Sequence, residues 1–366
     1  MKTVKKAYLL FVICALVASA SPGLCGMYDV VGLPFYDSVS RLNNMGQIAA
    51  TIDNQAVIWT QAGGITQLGY LPGGTRSNGR DVNNLGHVAG YARSSAYSSG
   101  EAMYWDGSTM NGLGTLGGSV SYGYAINDGG AITGRSRNAD NDYHAFLWTA
   151  AGGMTDLGTL GGEDSYGYSI NNQNVVVGFS EIPDGTRHAT LWDGDTMVDL
   201  GTLAVVGGRS EANAINDSNQ VVGYSWYLDG IDPTQAFLWE DGTMTGLGFL
   251  GEGGNSEAND INAQGQVVGR STITPTGGTT YNRAFLWEDG VMTNLNDLIE
   301  PDALETGWYL MEGVSINDNG QILCKTSNLT GDWQLVMLNP VPIPGAVWLL
   351  GSGLVGLAGI RRRRNA

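Results

Sequence analysis

The chain has 366 residues, 56 of them Gly, with 14% charged residues and a formal net charge of −17. Short runs rich in Val, Ile, Tyr, Trp and Thr alternate with Gly, Asn and Asp, which excludes a helical bundle and reads as all-β. All 35 acidic residues lie between Asp29 and Asp332, and seven of the 18 basic ones lie near the termini. The body therefore holds 11 cations against 35 carboxylates, a net of −24 that argues against nucleic acid or anionic lipid as partners.

In chain order, residues 1–26 read as a signal peptide and leader. Lys2, Lys5 and Lys6 precede the apolar stretch Ala7 to Ala18, and Ala18-Ser19-Ala20 supplies a small-x-small cleavage pattern. Secretion machinery is the implied partner.

Residues 27–340 are seven copies of one β-rich unit. The copies align on an Asn at positions 43, 83, 127, 171, 216, 262 and 317. A second anchor ends at Trp59, Trp105, Trp148, Trp192, Trp239 and Trp287, and a third is the tail exemplified by MTDLGTLGG from Met154. Each unit parses into four strands. Strand a ends at Ile-Asn, and an Asn/Asp/Gly turn follows, of the kind tight hairpins need for positive φ. Strand b is the QVVG run, strand c the apolar AFLW run, and strand d the MTxLG run. Four antiparallel strands repeated every 40–55 residues predict a seven-bladed β-propeller. The last copy lacks a fourth strand, and Tyr28 to Pro34 matches the tail pattern, so the N-terminal strand is expected to close blade seven. That brings Cys25 and Cys324 into one blade on strands that are not neighbours. A bridge and two separate thiols both stay open.

No catalytic centre is legible. His144 and His188 occupy a position filled by Gln55, Glu101, Gln235 and Arg283 in other copies, so it reads as a tolerant polar strand start. His87 sits elsewhere, after an Asn turn, and no zinc set assembles. The acidic stretches Asn138 to Asp142 and Asp229 to Asp232 lack calcium-loop spacing. No Gly-x-Ser-x-Gly occurs, and GTLGG does not follow the phosphate-loop pattern. No metal or cofactor is expected.

The recurring Trp residues predict packing between blades. Tyr97, Tyr122, Tyr166, Trp226 and Tyr227 fall outside that register. They suggest ligand-binding loops on the face where the b–c and d–a connections emerge. The variable stretches 93–100, 136–143, 180–187, 225–234 and 271–282 lie there. Variation on a rigid scaffold is where recognition sits.

After Asn339 and Pro340 comes Val341-Pro342-Ile343-Pro344-Gly345, an apolar run to Ile360, and Arg361, Arg362, Arg363 and Arg364. An apolar run closed by arginines is a membrane-stop pattern with its basic end in the cytoplasm. The 15 residues from Ala346 to Ile360 reach roughly 22 Å as helix, short for a bilayer core of about 30 Å. A transient insertion followed by processing is expected for residues 341–366, with an ordinary anchor as the alternative.

These last residues resemble PEP-CTERM sorting signals, and the motif lies closer to the VPLPA variant than to Pro-Glu-Pro. The resemblance implies an exosortase-like sorting enzyme as partner, and passage through the inner membrane to the cell surface or exterior. The body resembles the HAF-repeat family of bacterial extracellular proteins. His144-Ala145-Phe146-Leu147-Trp148, the Ala-Phe-Leu-Trp copies at Ala236 and Ala284, and GTLGG at Gly114 and Gly158 carry that likeness. It implies export and a repeat architecture, without a defined activity. The functional expectation is a non-enzymatic surface protein binding extracellular polysaccharide or another matrix component. The alternatives are a propeller-type polysaccharide-degrading enzyme and a purely structural spacer.

Overall fold

In the computed structural model, residues 28–341 are described apart from 35–38, 96–98, 205–206, 229–230, 252–253, 275–277 and 329. The expected signal peptide, the motif from Pro342 to Gly345, the C-terminal helix, Arg361–Arg364, Cys25 and Tyr97 lie outside the described residues. No helix among the described residues is long and apolar enough to cross a membrane.

Seven four-stranded antiparallel sheets form a β-propeller. Blades I to VI span residues 39–67, 76–112, 117–156, 165–201, 209–246 and 256–294, each a simple a-b-c-d meander. Blade VII takes three strands from Tyr309–Ile316, Ile322–Ser327 and Trp333–Pro340. Its fourth is the N-terminal strand Tyr28–Gly32, antiparallel to the last strand with Tyr28 opposite Pro340 and Gly32 opposite Val336. The expected closure is present. The chain thus ties its two ends into one sheet, and opening the ring costs a full strand pairing.

The repeated residues are explained by contacts between blades. The aligned Asn side chains make a closed hydrogen-bonded ring around the axis. Each Nδ2 donates to the backbone carbonyl of the equivalent Asn in the next blade: Asn43 to Asn83 at 2.7 Å, Asn83 to Asn127 at 2.9 Å, Asn127 to Asn171 at 2.9 Å. The sequence continues from Asn171 to Asn216 at 3.3 Å, Asn216 to Asn262 at 3.0 Å and Asn262 to Asn317 at 3.2 Å, and Asn317 returns to Asn43 at 2.9 Å. Each Oδ1 accepts backbone N–H groups of its own turn, as Asn127 does from Ala131 at 2.9 Å. These side chains are buried, so every polar group must find a partner.

Positive φ in the turn falls on its fourth residue, Gly46, Gly86, Gly130, Asn174, Asn219, Gly265 and Gly320. A parallel ring runs one residue further on. The N–H of Asn44, Asn84, Asp128 and Asn172 each donates to the side chain of the corresponding residue in the next blade at 2.8–2.9 Å. Ala263 in blade VI has no side-chain acceptor to continue it, and the ring resumes from Ala263 N–H to Asp318 and from Asp318 to Asn44.

The opposite end is locked by serines. Ser121 of blade III donates to the carbonyl of Gly114 at 2.5 Å and accepts the N–H of Ala102, both in the blade II unit. Ser77, Ser165, Ser210 and Ser256 do the same in their blades. The recurring Ala of strand c and the Gly after strand d are therefore partners of the next blade. The Gly of strand b is fixed by close approach: a Cβ on Gly134 would lie 1.8 Å from the carbonyl oxygen of Tyr122. Between the sheets the Trp residues pack as expected. Trp59 joins Leu323, Leu335 and Met337 of blade VII, and Trp192 joins Ala125, Ala131 and Ala145 of blade III.

Candidate functional site

Strand a of each blade lines the channel. Along it, residues one, three and five before the terminal Ile or its equivalent face the neighbouring blade, and those two and four before it reach the channel. In blade III, Ser121, Gly123 and Ala125 are buried while Tyr122 and Tyr124 are half-buried. The channel-facing set is Asn78 and Arg80 in blade II, Tyr122 and Tyr124 in III, and Tyr166 and Tyr168 in IV. Glu211 and Asn213 follow in V, Glu257 and Asn259 in VI, and Glu312 in VII.

The wall is asymmetric. On the acidic side each carboxylate has a partner on the adjoining strand b. Tyr224 donates to Glu211 at 3.1 Å, Arg270 lies 2.6 Å from Glu257, and Lys325 lies 3.5 Å from Glu312. Glu211 is also approached by the Tyr168 hydroxyl at 3.5 Å and by Arg187 at 3.3 Å. Burial, then Glu211, pushes the phenols of Tyr168 and Tyr224 far up, and burial pushes Tyr124 up to about 12.

On blades II to IV the wall is aromatic and cationic. The Tyr91 and Tyr122 rings stack at 4.8 Å with 16° between planes. The Arg135 guanidinium sits among four rings, 4.4 Å from Tyr166, 4.5 Å from Tyr143, 4.9 Å from Tyr122 and 5.9 Å from Tyr124. Arg187 covers Phe179 at 4.4 Å, and on the other side of the channel Arg283 of blade VI covers Tyr309 of blade VII at 3.9 Å. The result is a half-buried belt of alternating cations and rings at the b–c end of the channel.

Behind this mouth the channel is crossed by one side chain. Arg41 of blade I donates to the carbonyl of Asn213 in blade V at 2.8 Å and pairs with Asp260 of blade VI at 3.1 Å. Asp81 lies close by, and its carboxyl accepts the N–H groups of Val82 and Ile126 at 2.9 Å. Burial outweighs Arg41 and these bonds, so Asp81 is raised to about 6. Beyond the strut, at the Asn-turn end, a shallow basin of about 180 Å³ is lined by the two turn rings.

The expected site residues fare unequally. Tyr122 and Tyr166 belong to strand a (Gly117–Ile126 and Ser165–Ile170), not to loops, and Arg135 brings them together. Trp226 lies within strand Val221–Leu228, against Tyr224 at 4.8 Å, apart from that pair. Tyr227 shares that strand. Much of the variable sequence is strand extension: strand b runs to Asn138, Glu181, Leu228 and Ile273, and strand c restarts at Tyr143, Arg187, Ile231 and Tyr281. His144 and His188 pair with Asp156 and Asp199 of strand d at 2.8 Å. Those hydrogen bonds raise both imidazoles, and the two carboxyls are lowered. Cys324 is fully buried in the core, where desolvation pushes its thiol up. Among the described residues no group of three His, Cys, Asp or Glu is placed to hold a metal ion.

Sequence reasoning missed Tyr91, Arg135, Phe179, Tyr224, Arg270 and Lys325. They occupy one position, directly after the strand b Gly or its equivalent, where every blade from II to VII carries a large residue of changing chemistry.

A family model described as a protein of unknown function (DUF3466) matches residues 209–335, blades V to VII. No curated protein matches the sequence. Among solved structures, the β-propeller domain of the Trilobed protease from Pyrococcus furiosus is 10% identical, with a TM-score of 0.49, over 83% of this chain and 95% of that one. A gluconolactonase from Xanthomonas campestris is 12% identical, TM-score 0.41, over 90% and 93%. A sialidase from Trypanosoma rangeli is 12% identical, TM-score 0.38, over 90% and 62%. Likeness at this level is one of fold and transfers no activity.

Proposed function

We propose that this chain is an exported, surface-associated, non-enzymatic propeller that binds extracellular polysaccharide at the b–c mouth of its channel. The observation that carries this is the belt around Arg135. Half-exposed tyrosine ring edges and hydroxyls line the mouth, and with the guanidinium and carboxylate groups beside them they match sugar hydroxyls.

Export is proposed from the N-terminal signal. Sorting by an exosortase-like enzyme is proposed from Val341 to Gly345 and Arg361 to Arg364, with the protein ending at the cell surface or outside. The mass of the mature C-terminus, with and without that enzyme, tests this: cleavage near the motif is expected, and an intact C-terminus in both would contradict it.

Binding is tested by titrating the full-length chain against a glycan panel. Tyr122→Leu with Tyr166→Leu should weaken binding by about tenfold or more, since each lost hydroxyl contact is worth roughly 1 kcal/mol. Absence of binding to every carbohydrate would refute the reading.

A further inference from the structure

We infer that the polysaccharide is acidic, and that its carboxylate or sulfate group docks on an arginine sector of blades II and III. This rests on the polysaccharide reading and specifies its chemistry.

The body carries only 11 cations, and those on the other blades largely neutralise carboxylates: Arg41 with Asp260, Arg187 with Glu211, Arg270 with Glu257, Lys325 with Glu312. Blades II and III differ. Arg76, Arg80, Arg93, Arg135 and Arg137 form no ion pair within 4.0 Å among the described residues. Arg93 donates to the Tyr91 hydroxyl at 2.9 Å, Arg137 to the carbonyl of Asn141 at 2.9 Å, and Arg80 covers Tyr124 at 5.8 Å. The Arg135 Nε is buried without a hydrogen-bond partner among the described residues. Five guanidinium groups without carboxylates are unexpected in a body of net charge −24.

Register sharpens the point. Arg76 and Arg93 are direct cross-strand partners, the first exposed and the second half-buried. Like charges directly opposite each other weaken a sheet. An anion between them would convert that repulsion into charge-assisted hydrogen bonds, which are about twice as strong as neutral ones. The stacked Tyr91 and Tyr122 rings lie alongside, so a sugar ring and its acidic substituent meet matching chemistry within one sector. The acidic arc of Glu211, Glu257 and Glu312 on the other side of the channel repels the same group and orients the chain.

The test is a titration of the full-length protein with uronate and sulfated oligosaccharides and with their carboxyl-reduced or desulfated counterparts. Inorganic sulfate and a DNA dodecamer serve as further probes. An acidic oligosaccharide should bind at least about tenfold more tightly than its neutral counterpart, more weakly as salt rises, and more tightly than sulfate or DNA. Arg76→Gln with Arg93→Gln should reduce that affinity by about tenfold without lowering the unfolding temperature, because it relieves a like-charge pair. Arg135→Gln should also weaken binding, but it touches the blade interface, so the Arg76 and Arg93 pair decides. Equal binding of acidic and neutral forms would overturn the inference while leaving the polysaccharide reading standing. Equal binding of DNA would overturn it in favour of an unspecific polyanion surface. Failure of all carbohydrates to bind would overturn both.

Discussion

The two ends of the channel teach different lessons. At the Asn-turn end the same residues recur in blade after blade, and their side chains are spent on one another. The Asn ring closes through all seven blades, and the ring beside it through all but one link. No Lys or Arg lies in an a–b or c–d turn, while Asp128, Asp217 and Asp318 do. At the mouth, corresponding positions carry Tyr, Glu, Arg or Asn. Repetition marks the joints between blades, and variation marks the surface proposed here for recognition.

The Arg41 strut crosses the channel between its two ends. Arg41→Met leaves Asp260 buried without its counter-charge and should cost about 3–5 kcal/mol in urea unfolding. Its pH dependence is specific. Asp81 has a folded value of about 6, above its unfolded one, so its contribution is fully present below pH about 4 and lost as pH rises through 6. Removing Arg41 should steepen that loss.

Gly134→Ala comes next, at about 3 kcal/mol, because the new methyl meets the Tyr122 carbonyl oxygen. Asn127→Ala should cost about 2 kcal/mol by leaving the Asn171 carbonyl and the Ala131 N–H without their buried partner. Ala263→Asn should act in the opposite direction. It supplies the missing link of the second ring and should add about 0.5–1 kcal/mol. An Ala263 variant that lowers stability would show that the ring is not a set of equivalent joints.

The smallest effect concerns the His144–Asp156 and His188–Asp199 pairs. Both imidazoles are raised, so their contribution is full below the unfolded value near 6.5 and fades as pH rises through the folded one. Both carboxyls are lowered, so the same pairs also weaken when pH falls through the folded carboxyl values. His144→Asn with His188→Asn should flatten the change in unfolding temperature on the alkaline side of pH 6.5.

Much of the fold was legible because a repeat compares the sequence with itself. Seven aligned Asn residues gave the blade count, and the unmatched Tyr28 strand gave the closure. The reason for the Asn was not legible. Its Nδ2 bonds to a residue 40 to 55 positions away, or 274 for Asn317, and nothing local announces that. The Arg41–Asp260 strut spans 219 positions and has no sequence period. Tyr122 and Tyr166 were recognisable as unusual, but a loop was the wrong setting. Their significance depends on Arg135, which sits mid-strand in Ile132–Asn138 and meets Tyr166 only when blades III and IV are side by side.

We propose that the varied mouth binds a ligand while the repeated end holds the ring. Hydrogen exchange of the full-length protein with and without a bound acidic oligosaccharide tests it most directly. Slowed exchange is predicted in residues 72–76, 93–95 and 139–142 at the mouth, with no change in the turns at 127–131 and 171–175. Slowed exchange confined to those Asn turns would contradict it.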